Sequence, residues 1–194
     1  MAHILPHWTW PDRVGEVTPV HVFSAADEAE LFVNGESAGR QQREESNYRF
    51  RWDDVTYAPG ELRVVAYKDG EEWATETVKT AGAAAALTAT PDRDTLAADG
   101  QDLSFVTVAV VDADGNPVPE ASDAVTFSVR GPADIVATDN GDPADFVEFP
   151  SLTRDAFSGL ALAVVRTRAG AAGEIIVSAA AEGLEGARVT LLAS

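Results

Sequence analysis

The stretch DGQDLSFVTVAVVDADGNPVPE, Asp99 to Glu120, decides how this chain is read. Gly100 punctuates its start, and Leu103 to Val111 reads as a strand. Leu103, Phe105, Val106, Val108, Val110 and Val111 put apolar side chains on both faces, which predicts a central strand packed on each side. The run Asp112-Ala113-Asp114-Gly115-Asn116-Pro117 then ends it, because Gly115 tolerates positive φ and Pro117 can neither extend a helix nor donate to a ladder.

The segments around it repeat the pattern. Leu87 to Thr90 reads as a strand ended by Pro91. Val125, Phe127 and Val129 alternate with Thr126, Ser128 and Arg130 until Gly131-Pro132. Ile135 to Thr138, Phe157 to Thr167, Glu174 to Ala181 and Ala187 to Leu192 complete a sandwich. Towards the amino terminus, Val17 to Phe23 and Glu30 to Val33 are strands, and Asn34-Gly35 is a type I′ hairpin signal leading into Glu36 to Gln42. Tyr48, Phe50 and Trp52 alternate with Arg49, Arg51 and Asp53; Leu62, Val64 and Ala66 do the same, and Asp69-Gly70 turns the chain into Trp73 to Thr80. The small, uncharged run Ala81 to Ala86 separates the two sets. The expectation is an all-β chain of two consecutive immunoglobulin-like β-sandwich domains, 1–82 and 83–194.

Composition narrows the partners. The 194 residues carry a formal net charge of -18, spread over both halves, and such a surface repels phosphate backbones and anionic lipid. Nucleic acid and membrane partners are not expected, and no run approaches the roughly 18 apolar residues of a membrane span. With no cysteine, thiolate chemistry and disulfides are excluded. The opening residues lack the basic and apolar regions of a signal peptide, as expected of a piece cut from a larger protein.

Chemistry-bearing residues are sparse. His3, His7 and His21 are the three histidines, and Pro6 opposes the helix that would bring His3 and His7 to one face as metal ligands. Asp139-Asn140-Gly141-Asp142 lacks the spaced oxygens and closing Glu of a calcium loop, so it is expected to be a turn. No Gly-x-Ser-x-Gly elbow and no glycine-rich phosphate loop is present. No catalytic residue, metal ligand or cofactor is therefore assigned. The candidate binding residues are the tryptophans. Trp8 and Trp10 sit between Pro6 and Pro11 in an extended segment that would place both rings on one side, and Trp52 and Trp73 lie on strands. Rings of this kind either stack on the apolar face of a sugar or pack into a core.

The runs His3 to Pro11, Val20 to Phe23, Ala29 to Gly35, Tyr48 to Val55, Tyr57 to Leu62 and Val65 to Gly70 resemble the region after the catalytic barrel in bacterial β-galactosidases of glycoside hydrolase family 2. Ala98 to Val106, Asp112 to Pro119, Asp139 to Pro143 and Ala156 to Leu160 resemble the terminal bacterial Ig-like domain of the same enzymes. The resemblance implies a non-catalytic carboxy-terminal accessory region, with both catalytic glutamates on a barrel outside this sequence. It implies the remaining domains of the parent glycoside hydrolase as partners, with carbohydrate and homo-oligomer contacts as further ones, and a secreted or periplasmic parent.

Overall fold

In the computed structural model, which describes residues 1–194, sixteen strands and one short 3-10 turn, Pro11–Arg13, make up the regular structure. The chain divides into two compact units, Met1–Ala81 and Gly82–Ser194.

The first unit contains β1 (Ala2–Leu5), β2 (Val20–Ser24), β3 (Glu28–Val33), β4 (Glu36–Gln42), β5 (Arg49–Trp52), β6 (Glu61–Lys68) and β7 (Glu71–Lys79). A three-stranded sheet of order β1-β2-β5 faces a four-stranded sheet of order β4-β3-β6-β7. Period-two alternation sends Val20, Val22, Phe50 and Trp52 from the first, and Ala29, Leu31, Leu62 and Val64 from the second, into one shared core. Asn34 and Gly35 have φ of 51° and 86°, the double positive φ of a type I′ turn, and Asp69 and Gly70 repeat it at 53° and 83°. The two hairpin signals thus became hairpins. The chain crosses between sheets after β2, after β4 and after β5, as Ig-like connectivity requires.

The second unit contains β8 (Ala84–Pro91), β9 (Thr95–Leu96), β10 (Leu103–Asp112), β11 (Ala124–Arg130), β12 (Ala133–Asp139), β13 (Thr153–Asp155), β14 (Leu160–Thr167), β15 (Gly173–Ala180) and β16 (Ala187–Ala193). One sheet has the order β12-β14-β10-β8, the other β13-β11-β15-β16-β9. Their inner faces meet through Val108, Val110, Val125, Phe127 and Ala163 towards one part of the core and Val106, Val165, Ile175, Val177 and Leu191 towards the other.

The Leu103–Asp112 strand is central in hydrogen bonding, since β10 pairs with β14 on one edge and β8 on the other. Packing on both of its faces, however, is not what forms. Val106, Val108 and Val110 are buried, whereas Phe105 on the opposite face is 40% exposed. Val111, on the same side as Phe105, is buried at the strand end, where it bridges to Pro117, and it joins neither part of the core. Two further elements were invisible to alternation. β9 has only two residues and pairs parallel with β16, and β13 has three.

Asp112 shows how the turn after β10 is held. Its Oδ1 accepts from the backbone N–H groups of Asp114 and Asn116, its Oδ2 from that of Gly82, and the Asn116 amide donates to both oxygens. These donors, led by the Gly82 N–H, hold the Asp112 carboxyl down at about 2. A carboxylate suits the position because its two oxygens accept from the local Asp114 and Asn116 donors and from distant Gly82 together.

Candidate functional site: the tryptophans and two open clefts

The segment 6–13 is not a strand, and its two indoles part company. Trp8 is fully buried. Its Nε1 donates to the Ala58 carbonyl at 3.0 Å and its ring meets Tyr57 edge-on, centroids 4.9 Å apart. The Thr80 hydroxyl donates to the Trp8 carbonyl at 2.6 Å and accepts from the Gly60 N–H, while Ala81 N–H donates to Thr9 Oγ1. This network fastens the start of the first unit to its end, and it leaves Trp8 no face for a solute.

Trp10 is half-buried. Its N–H donates to Tyr57 Oη at 3.2 Å, its Nε1 donates to the His7 carbonyl at 2.9 Å, and its ring stacks on His7 with centroids 4.1 Å apart and planes 23° off parallel. Pro11 then opens the short turn, where its missing N–H costs nothing. Trp10 packs against the same core that buries Trp8, so the two rings do not make an exposed platform.

Trp52 is also core, 5% exposed, with Nε1 donating to the Gly39 carbonyl at 3.1 Å. This bond spans the side of the sandwich from β5 to β4. Beside it lies an open cleft of about 600 Å³ walled by Glu36, Gln41, Arg51, Asp53 and Asp54. Arg51 pairs with Asp53, and the Gln41 amide donates to the Arg51 carbonyl at 2.7 Å. Trp73 on β7 is 44% exposed, with the Lys68 ammonium 5.3 Å from its ring centroid. Of the four tryptophans, Trp73 therefore has the most open ring and Trp10 the next; the structure does not bring all four into one site.

The histidines are likewise dispersed in role. His3 Nδ1 lies 3.2 Å from Glu76 Oε1, His7 is under Trp10, and His21 on β2 has its pKa lowered by burial first and by Arg49 and Arg51 second. No group of three or more His, Cys, Asp or Glu side chains is placed to hold a metal ion. In the loop after β12, Asp139 Oδ1 accepts from the N–H groups of Asn140 and Gly141, and Asp142 Oδ1 from that of Ala144. These oxygens cap turns of their own backbone.

A second open cleft of about 530 Å³ follows from that loop, walled by Asp139, Asp142, Phe146, Glu148, Phe149 and Arg154. Arg154 on β13 is buried and reaches Asp145 Oδ2 at 2.8 Å, the Val147, Glu148 and Thr138 carbonyls at 2.9 to 3.0 Å, and Thr138 Oγ1 at 3.3 Å. The Arg154 guanidinium, with the Val147 N–H second, pulls the Asp145 carboxyl below its ordinary range. Sequence reasoning passed over these residues. The available signal was four apolar side chains, Phe146, Val147, Phe149 and Leu152, in a segment without strand alternation.

The fold and these sites define a tandem Ig-like β-sandwich protein in which Trp8 and Trp52 serve the core of the first unit. Comparison with known proteins makes this specific. Residues 87–190 match glycoside hydrolase family 2 C-terminal domain 5, and residues 15–74 match a domain of unknown function, DUF4982. The chain belongs to the glycoside hydrolase family 2 C-terminal domain family. It is 39% identical over 184 residues to the β-galactosidase BoGH2A of Bacteroides ovatus, covering 95% of this chain and 21% of that enzyme. A family 2 glycosyl hydrolase structure from Bacteroides cellulosilyticus is 35% identical with a TM-score of 0.85, covering 97% of this chain and 24% of that one. A β-glycosidase structure from Bacteroides vulgatus superposes with a TM-score of 0.91 at 25% identity, with coverage of 98% and 24%. The chain thus spans about a fifth to a quarter of the length of these relatives.

Proposed function

We propose that this chain is a non-catalytic accessory region of a β-galactosidase-like family 2 glycoside hydrolase, supporting its catalytic barrel and the packing of domains or subunits. One observation carries the reading: the likeness to BoGH2A takes in 95% of this chain yet only 21% of the enzyme. Hydrolysis of β-galactosides then belongs to the rest of the parent, and the acidic side chains here serve turns and ion pairs. The partners are the remaining domains of that enzyme, and its setting is secreted or periplasmic.

The test compares the full-length enzyme with a version lacking these residues, and assays the 194-residue chain alone on an aryl β-galactoside. The chain alone is expected to be inactive, and the truncated enzyme to lose thermal stability or its oligomeric state. Turnover by the isolated chain that survives an inactive-enzyme control, or a truncated enzyme indistinguishable from the whole, overturns the reading.

A second reading, carbohydrate binding, draws on the 44% exposure of Trp73. With Trp8 and Trp52 committed to the core, it rests on Trp73 and Trp10. Titration with galactose, lactose and galactan oligosaccharides, read by tryptophan fluorescence, separates it from the first.

A further inference from the structure

The loop between β12 and β13 has a property its sandwich does not need. Phe146 is 94% exposed, Phe149 63%, Leu152 50% and Val147 49%. Four large apolar side chains held in water within seven residues are unusual for an isolated surface, and contiguous exposure of this kind marks an interaction site.

The exposure does not come from a loose loop. Arg154, buried beneath it, donates to Asp145, Val147 and Glu148 within the loop and to Thr138 at its base. Asp145 Oδ1 caps the Val147 N–H, the Phe149 carbonyl accepts from the Thr138 N–H, and the Ser151 carbonyl from the Thr138 hydroxyl. The backbone is thus tied down on its inner side while the rings point away. Such preorganisation lowers the entropy lost on docking, and aromatic side chains are the usual anchors of protein interfaces.

The charge around the rings selects the occupant. Asp139, Asp142 and Glu148 share the cleft with Phe146 and Phe149, whereas its one cation, Arg154, is buried and paired. A second copy would bring the same carboxylates face to face, in a chain of net charge -18, and an anionic membrane meets the same repulsion. A protein surface with an apolar recess and a basic rim fits instead.

We infer that the Phe146–Leu152 loop, braced by Arg154, is the anchor by which this region docks onto such a basic-rimmed recess in the remainder of the family 2 enzyme. This rests on the accessory reading above and adds to it the surface and the chemistry of its partner. About four-fifths of a relative such as BoGH2A lies outside the span this chain matches, so partner surface in the same polypeptide is ample.

The experiment compares the 194-residue chain with the full-length enzyme by hydroxyl-radical footprinting, which reads side-chain exposure directly. Oxidation of Phe146 and Phe149 is expected to fall by roughly tenfold in the full-length enzyme, as water is excluded from an anchor. Phe127, buried in the sandwich, stays unreactive in both. In addition, F146S/F149S should lower the inactivation temperature of the full-length enzyme while leaving the melting of the isolated chain unchanged. Equal oxidation in the two proteins overturns the inference. So does concentration-dependent dimerisation of the isolated chain that F146S/F149S abolishes, since the occupant would then be a second copy. Protection of both rings by galactan oligosaccharide in the isolated chain also overturns it. If removing the whole region weakens the enzyme while F146S/F149S does not, the docking inference fails and the accessory reading stands. If neither change has an effect, both fall.

Discussion

Truncating Trp8 to alanine tests whether the amino-terminal aromatic segment is core or platform. The ring is fully buried against Tyr57, and its Nε1 satisfies the Ala58 carbonyl. Emptying such a site costs about 3 to 5 kcal/mol. A unit the size of Met1–Ala81 has about 4 to 12 kcal/mol in total at ordinary stability per residue, so the loss is a large share of it. With a urea dependence of about 1 to 1.5 kcal/mol per molar, the unfolding midpoint falls by about 2 to 5 M, or the unit fails to fold. The assay is unusually clean because all four tryptophans and all three tyrosines lie between Trp8 and Trp73. Tryptophan fluorescence therefore reports the first unit alone, and far-UV circular dichroism reports both. Trp73→Ala is the control, expected to lose only about 1 kcal/mol because its ring is 44% exposed. Trp8→Phe should fall between, losing about 1 to 3 kcal/mol through the stranded Ala58 carbonyl. A Trp8→Ala midpoint within about 0.5 M of the parent would refute the core assignment and return the ring to the surface.

Other outcomes follow from particular contacts. Gly131→Ala should destabilise the second unit by more than about 1 kcal/mol, because φ is +103° and an added Cβ would lie 2.1 Å from the Glu174 carbonyl oxygen; far-UV circular dichroism melts check this. The Asp112 carboxyl titrates at about 2 when folded against an ordinary 3.8, so the folded state binds this proton more weakly than the unfolded chain. Its stabilising contribution is present in full above about pH 4 and drains away as the pH falls through the folded value. A carbonyl-carbon NMR titration should find that low midpoint, and Asp112→Asn should flatten part of the acid-induced loss of stability. Chelator should leave the melting of the chain unchanged, since Asp139 and Asp142 are occupied by their own backbone donors; a large drop would show a cation in that loop. Galactose and lactose at millimolar concentration should leave the tryptophan emission unmoved, and a shift lost on Trp73→Ala would favour the carbohydrate-binding reading.

Local rules carried the fold a long way. Period-two alternation found the strands containing Val20, Phe50, Val64 and Phe127, because a half-buried strand must send every second side chain inwards. Asn34-Gly35 and Asp69-Gly70 became type I′ hairpins because their residue types make positive φ cheap. Short or irregular pieces were beyond reach. Thr95–Leu96 is a strand only because β16 lies alongside, and Thr153–Asp155 only because β11 does.

The role of each aromatic residue belonged to tertiary structure. Trp8, Trp10, Trp52 and Trp73 look alike as letters, yet burial ranges from complete for Trp8 to 44% exposed for Trp73, because exposure depends on what the other sheet places opposite. The same holds for β10, whose apolar residues on both faces are plain in the sequence while the exposure of Phe105 is not. Arg154 is the sharpest case. In the sequence it is one arginine between Thr153 and Asp155, and only the folded loop converges Asp145 and three carbonyls on it and turns Phe146 and Phe149 outwards. Sequence alone determined that the chain is all-β, acidic and built from hairpin-linked strands, because those properties follow from short-range stereochemistry and composition. Which side chains are left facing water was decided by long-range packing.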